Sequence, residues 1–419
     1  MKKSISIFFV SILSVFGQSN QELLNHIQKL EKTIQSYDKE LKNVKKQMSH
    51  LKAVHTESID HYIKEEIKKH LSNHKSLLSL SSDSDHITLK GDLRIRYERR
   101  SRDTKGNDDT RDRFRQRFRL GFEWRRDDSP WIIGAGFATG DQSATSTNDT
   151  YSDGSPFETG DLRLDYAYAK TTFWEKYTLI LGQQKNPLIS SGILWDGDVR
   201  PAGVTLQYNN EQFFILAGAY DLIHIGNNSN DAIMFALQGG YKGDNLTVAA
   251  TYYHFTDALT SSRASGISGL PNNIDDDLEF QILSLYSSYT FDINDLKIML
   301  YSEFAVNLHD NGDSGVDQNR INTSAGSDNF YAALGASFAY KKFKFKYNYA
   351  YIESDAIYRG LKDSDFVTSN FATNVKGHKI GFEYSVAKNV ILGSTLYLVD
   401  EINGSESLQQ LEIDVVYKF

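Results

Sequence analysis

The feature that most constrains this chain is a period-two alternation of apolar and polar residues from Ile87 to the terminal Phe419. Side chains that alternate in this way lie on opposite faces of a β-strand. In the strictest segment, large apolar residues alternate with arginines. Sixteen such segments can be placed, at residues 87–98, 112–125, 131–139, 161–173, 177–184, 203–208, 212–221, 231–242, 244–255, 278–291, 295–306, 328–341, 343–352, 376–386, 390–400 and 409–419.

The connections between these segments alternate between short turns and long loops. Seven are short turns, and eight are longer, among them 99–111 and 185–202. Transmembrane barrels of bacterial outer membranes have an even strand number, short periplasmic turns and longer extracellular loops. A soluble β-sandwich also alternates, but it does not account for loops that are long at one end only. We therefore predict an all-β transmembrane antiparallel β-barrel of about sixteen strands over residues 87–419, surrounded by outer-membrane lipid.

The N-terminal part of the chain has a different pattern. Residues 1–17 combine two lysines with a short apolar stretch, which predicts a secretory signal peptide. Residues 18–80 have apolar positions spaced alternately by four and three, which predicts a periplasmic coiled-coil stalk that needs partner helices. Residues 81–86 are a predicted linker. The heptad seam consists of Leu23, Ile27, Leu30, Ile34, Tyr37, Leu41, Val44, Met48 and Leu51.

Two features of the barrel region predict where solutes pass. The first is a group of arginines on the polar faces of the first two strands, called here the arginine wall: Arg94, Arg96, Arg113, Arg115, Arg117 and Arg119. Adjacent strands merge these side chains into one positive patch.

The second feature is the third long loop, which is too apolar for a loop in water and is expected to fold into the barrel. Its Asp196 and Asp198 would then face the arginine wall and create a constriction. Lys185 and Arg200 of the same loop, and Asp165 of the fourth strand, are further pore-lining candidates. The open alternative is an ordinary structured loop in which the aspartates form turns.

Four segments, at Arg113–Trp124, Asp165–Lys170, Gly182–Pro187 and Trp195–Tyr208, resemble a family of bacterial outer-membrane proteins described as putative porins. The most specific pattern is Lys-Asn-Pro followed by Trp-Asp-x-Asp-x-x-Pro-x-Gly, at Lys185–Pro187 and Trp195–Gly203. The resemblance implies a porin with an N-terminal coiled coil, and the plan is also similar to that of general trimeric porins. Family members often have an acidic residue where this chain has Ala202.

These features predict a porin that forms a water-filled channel for passive diffusion of small hydrophilic solutes or ions, as a homotrimer and without a cofactor. The acids of the long loops would concentrate cations and the arginine wall would favour anions, so we expect weak anion selectivity. The alternative is a structural barrel, largely closed, whose stalk contacts the cell wall.

Other classes of function fit less well. The absence of cysteine excludes thiol catalysis and Cys-ligated metals, and the net charge of −8 argues against a nucleic-acid binder. No catalytic triad motif is apparent, so we predict no enzyme. The i, i+4 pair His70 and His74 is interpreted as a solvated helix face, so we predict no metal site.

Overall fold

A computed structural model describes residues 86–104, 107–140, 143–224, 231–259, 278–309, 328–368, 372–402 and 404–419, and eight helical positions between Gln28 and Asn43. The chain divides into two units, Met1–Asp83 and Ser84–Phe419. The predicted signal peptide, the nine seam residues and the His70/His74 pair lie outside the described residues and stay predictions. Within the ranges given, no helix is long and apolar enough to cross a membrane.

The second unit is built from antiparallel strands. They are β1 (His86–Thr104), β2 (Asn107–Arg125), β3 (Trp131–Thr139), β4 (Asp149–Thr150), β5 (Leu162–Phe173), β6 (Tyr177–Gln183), β7 (Ala202–Asn210), β8 (Phe213–Ile223), β9 (Ala232–Lys242), β10 (Leu246–Leu259), β11 (Leu278–Ile293), β12 (Leu296–Asn307), β13 (Phe330–Tyr340), β14 (Phe343–Ile352), β15 (Val375–Ala387), β16 (Val390–Glu401) and β17 (Ser407–Lys418).

Sixteen of these strands close into a barrel. β1 pairs with β2 on one side and with β17 on the other, and each remaining barrel strand pairs with its sequence neighbours. The two-residue β4 pairs with β2 beyond the end of β3 and is not a barrel strand. Closure leaves no unpaired sheet edge, so every strand can satisfy its backbone hydrogen bonds in hydrocarbon. The predicted antiparallel β-barrel of about sixteen strands is confirmed.

The prediction of a long loop at residues 99–111 is wrong. β1 continues to Thr104 and β2 begins at Asn107, with Thr104 opposite Asn107 in register. β17 supports this extension from the other side, since Asp103 lies opposite Ser407. The extension lacks the apolar alternation of the barrel strands. Its polar side chains instead bond across the hairpin, as the Ser101 hydroxyl does to the Thr110 hydroxyl at 3.1 Å.

The outer face of the barrel is apolar. Large side chains that would be buried in a soluble protein are exposed here, and Leu89 is 63% exposed. Aromatic rings also gather where strands meet the short turns, for example Phe173, Trp174 and Tyr177, which contact one another. An apolar band bordered by aromatic residues is typical of a barrel surface in contact with lipid.

The residues on the inner face differ between two parts of the barrel. On β1, β2 and β17 this face carries charged residues. On β8–β13 it carries buried apolar side chains, which pack against residues of two long loops, 184–201 and 353–374. The wall members of this cluster include Leu216, Tyr220, Met234, Tyr253, Phe255, Phe280 and Tyr331, and the loop members include Ile193, Leu194, Trp195, Ile357, Leu361 and Phe366.

Candidate functional site

The six residues of the arginine wall all lie on the lumen face of β1 and β2. The register places Arg94 directly opposite Arg117 and Arg96 directly opposite Arg115. Like charges at opposed positions of adjacent strands destabilise a sheet. All six line one cavity of about 660 Å³, together with Asp196 and Asp198. The register therefore concentrates positive charge on one side of this cavity.

Most of the arginines are paired with carboxylates. Asp92 accepts hydrogen bonds from Arg117 at 2.7 Å and from Arg119 at 2.8 Å. Glu98 accepts from Arg113 at 2.6 Å and from Arg115 at 3.3 Å. Each of these carboxylates serves two guanidinium groups, so the pairs leave an excess of positive charge.

Barrel closure supplies carboxylates from the far end of the chain. Arg96 bonds Glu412 at 2.5 Å and Asp414 at 2.7 Å, both on β17. Arg100 contacts Asp365 of loop 353–374 at 3.2 Å. Asp92 and Glu98 share the polar face of the first strand with the wall and are visible in the sequence as neighbours of the arginines. The contacts from β17 and Asp365 depend on barrel closure and loop placement, which sequence spacing does not reveal.

Arg94 is the exception within the wall. In the described part of the chain no salt bridge joins it to a carboxylate, and its guanidinium donates instead to the side-chain oxygen of Asn148. Its Nε is buried without a hydrogen-bond partner. Arg94 therefore places a positive charge in the cavity that no ion pair of the described residues neutralises.

Loop 184–201 is attached to lumen-facing residues on three strands. Gln238 of β9 bonds both the amide and the carbonyl of Ile189, each at 2.9 Å. Glu303 of β12 accepts from the Ser191 amide at 2.9 Å. The Ser191 hydroxyl also bonds the Tyr331 hydroxyl of β13 at 2.8 Å. These bonds, with the apolar side chains of the loop, hold it against the wall opposite β1 and β2.

Two further loops join loop 184–201. The Asp196 amide donates to the Leu361 carbonyl at 2.6 Å, and the Asp363 amide donates to the Ile193 carbonyl at 3.0 Å. The Thr147 hydroxyl bonds Asp198 at 3.1 Å. Sequence reasoning missed the part played by loop 353–374. Its buried Ile357, Leu361 and Phe366 are the same kind of signal as the apolar residues of the third long loop.

Asp196 and Asp198 differ in their surroundings. Asp198 lies 3.5 Å from the Arg119 guanidinium. Asp196 accepts backbone hydrogen bonds from Asp198 at 2.8 Å and Ser364 at 3.1 Å. Burial, and then the nearby Asp363 carboxylate, raises the pKa of Asp196 to about 6. Asp196 can therefore change its charge near neutral pH.

The other predicted candidates line a second cavity, of about 410 Å³, next to the arginine wall. Arg200 bonds Asp165 at 3.2 Å, and Lys185 lies 5.6 Å from the centre of the Tyr166 ring. All three predicted residues line this cavity, and Arg119 and Asp92 line both cavities. The candidates therefore form two adjacent groups, and the structure does not place all of them around a single point.

One group of acids has the spacing of metal ligands. Oxygens of Glu98, Asp365 and Glu412 lie within 4.8 Å of one another. Each of these carboxylates already contacts an arginine: Glu98 contacts Arg113, Asp365 contacts Arg100, and Glu412 contacts Arg96. Guanidinium groups thus supply the positive charge that a metal ion would supply, and we interpret the group as part of the ion-pair network.

A closed sixteen-strand barrel with an apolar outer face and a charged interior defines a membrane channel protein. The chain belongs to the porin family described as "Putative porin", whose model matches residues 101–270 and 276–419. The predicted family is confirmed. The protein is thus a non-enzymatic channel protein of the outer membrane, as predicted.

Solved structures with a similar fold include bacterial porins. A triple mutant of Rhodopseudomonas blastica porin is 13% identical and covers 80% of this chain and 100% of its own, with a TM-score of 0.47. Salmonella typhi OmpF in complex with daunomycin is 14% identical and covers 80% and 97%, with a TM-score of 0.48. Pseudomonas aeruginosa OpdQ is 12% identical and covers 80% and 98%, with a TM-score of 0.45. No curated protein sequence matches the chain.

Proposed function

We propose that this protein is a porin through which small hydrophilic solutes and ions diffuse passively, with a constriction between loop 184–201 and the arginine wall. The observation that carries the proposal is the cavity of about 660 Å³ between them. Charged groups that face one another across a confined passage select ions by size and sign. The cavity supplies such groups on both sides.

The charge around this cavity supports weak anion selectivity. Its described lining contains ten arginine and lysine side chains and eight carboxylates, a formal excess of two positive charges. The excess is small because most arginines are paired. An anion therefore gains a modest advantage over a cation at the narrowest point.

Conductance in planar lipid bilayers tests the proposal. We expect discrete, ohmic current steps in KCl from the purified protein, and a reversal potential in a salt gradient that favours chloride. The variant Arg115→Gln/Arg117→Gln/Arg119→Gln removes three charges and makes the formal excess negative, so its reversal potential should favour potassium. A barrel that gives no current steps would contradict the channel proposal. An unchanged reversal potential in the variant would show that the arginine wall does not line the ion path.

We also propose that the protein is a homotrimer and that residues 18–80 form a periplasmic coiled coil. The support is the heptad seam, because a helix with one narrow apolar stripe needs partner helices. Deleting residues 18–86 tests this role. Loss of trimers on native electrophoresis would support assembly by the coiled coil. Trimers that persist, with weakened attachment to the cell wall, would instead favour the alternative of a structural barrel whose stalk contacts the cell wall.

A further inference from the structure

The second cavity contains a feature that the ion path does not require: two nearly parallel tyrosine rings on the lumen wall. Tyr166 and Tyr168 of β5 face the lumen, and their rings are 6.0 Å apart and 27° from parallel. The Tyr168 hydroxyl donates to Glu123 of β2 at 2.7 Å. Each ring reaches from β5 across β3 toward β2. The pair is called here the tyrosine ledge.

Glycines on the neighbouring strands make room for the tyrosine ledge. A Cβ at Gly134 would lie 2.4 Å from the Tyr168 ring, and one at Gly136 would lie 2.4 Å from the Tyr166 ring. A Cβ at Gly121 would meet the Tyr166 hydroxyl at 2.0 Å. Any other residue at these three positions would force the rings off the wall. The position of the rings against the wall therefore depends on the absence of side chains at these glycines.

Cations surround the tyrosine ledge. The lining of the cavity contains five lysine and arginine side chains and three carboxylates. Asp92 pairs with the arginine wall and Asp165 with Arg200, whereas Glu123 accepts a hydrogen bond from the Tyr168 hydroxyl and keeps its negative charge. Lys90 and Lys185 form no salt bridge within the described ranges. The described lining therefore has a formal excess of two positive charges, and Lys185 lies over the Tyr166 ring.

A flat aromatic surface beside unpaired lysines suits a particular kind of solute. Aromatic rings bind other flat rings by offset stacking, and lysine binds carboxylates as a mobile point charge. The cavity volume of about 410 Å³ is within the range of small-molecule sites. We infer that the tyrosine ledge is a binding subsite for small aromatic carboxylates, with the ring on Tyr166 and Tyr168 and the carboxylate at Lys185 and Lys90.

The position of the ledge connects this subsite with the proposed ion path, on which the inference rests. Asp92 and Arg119 line both cavities. Thr88 and Lys90 of the ledge cavity lie nearer the short-turn end of β1 than Arg94 and Arg96 do. An aromatic anion that has passed the arginine wall from the loop side would therefore reach the ledge next.

Block of the chloride current by benzoate tests the inference in bilayers. We expect benzoate to reduce the current at lower concentrations than cyclohexanecarboxylate, which has the same charge but no flat ring. The variant Tyr166→Leu/Tyr168→Leu should weaken the benzoate effect by about fivefold and leave that of cyclohexanecarboxylate unchanged. Lys185→Gln should weaken both by about threefold. Tyr349→Leu, which removes a tyrosine of β14 from the outer face, is the matched control.

A further variant and a binding measurement complete the test. Gly134→Ala removes neither a ring nor a charge, but it lifts the Tyr168 ring and should also weaken the benzoate effect. Saturation-transfer NMR with benzoate and detergent-solubilised protein measures binding without an open channel, so failure of the channel proposal is distinguishable from failure of the subsite. Equal effects of benzoate and cyclohexanecarboxylate, or a benzoate effect unchanged in the tyrosine variant, would overturn the inference.

Discussion

Replacement of Arg94 by glutamine isolates the contribution of one unpaired charge to ion selectivity. Arg94 forms no salt bridge with a described carboxylate, so its removal leaves no carboxylate without a partner. Glutamine retains a donor for Asn148. The formal charge of the described lining falls from an excess of two positive charges to one. The substitution therefore changes the field in the cavity with little disturbance of the ion-pair network.

The size of the effect follows from Coulomb's law. A unit charge about 5 Å from the ion path, in a water-like dielectric, changes the energy of a passing ion by about 0.8 kcal/mol, and salt at 0.1 M reduces this to about 0.5 kcal/mol. The change has opposite signs for chloride and potassium, so the difference between them is about 1 kcal/mol. The chloride-to-potassium permeability ratio should fall by about fivefold.

The reversal potential in a tenfold KCl gradient measures this ratio. Arg99→Gln is the matched control, because Arg99 is on the same strand but faces outward and pairs with Asp112 at 3.7 Å. We expect the control to behave as the unmodified protein. If Arg94→Gln leaves the reversal potential unchanged at low salt, the cavity beside Arg94 is not the ion path and the charge argument fails.

Two other perturbations test the loop side of the constriction. The pKa of Asp196 is raised from 3.8 to about 6, so lowering the pH from 7.5 to 5 should neutralise this residue and increase chloride selectivity. The variant Asp196→Asn should be selective for chloride at both pH values. An equal pH response in the variant would show that another group titrates. Because the folded-state pKa is the higher one, protonation also stabilises the inward loop by up to about 3 kcal/mol, an effect present below pH 4 and lost as the pH rises through 6. Glu303→Ala should loosen loop 184–201 by about 1–3 kcal/mol, because the buried Ser191 amide loses its acceptor, and open-channel current noise should rise. Glu383→Ala, which removes a cavity carboxylate that pairs with Lys346, is its control, and equal noise in both variants would contradict the anchoring role.

The barrel strands were predictable because their signal is local. A strand with lipid on one side and water on the other must alternate, and this alternation placed all sixteen barrel strands, two of them, β3 and β14, with the observed bounds. The extension of β1 and β2 was missed because residues 99–111 are polar on both faces. Their pairing depends on the neighbouring hairpin strand and on β17, which no local pattern reveals.

The candidate site was predictable only in part. Arg94 and Arg117 can be assigned to the polar faces of their strands from spacing alone, but their position opposite each other requires the register between β1 and β2. Asp414, which pairs with Arg96, is 318 positions away along the chain. The tyrosine ledge depends on glycines of β2 and β3 beneath rings of β5. These contacts arise when strands pair, so single-strand patterns cannot predict them.

The sequence by itself determined the class of fold, because each strand must place apolar groups in lipid and polar groups in water, and this requirement fixes the alternation of residues along the strand. It also indicated that the third long loop is too apolar to remain in solvent. The tertiary structure alone decided which charges are neutralised, which loops meet and which member of the arginine wall has no partner among the described carboxylates. The physical reason is that Coulombic and hydrogen-bond energies depend on distances between strands, and closure of the barrel sets those distances.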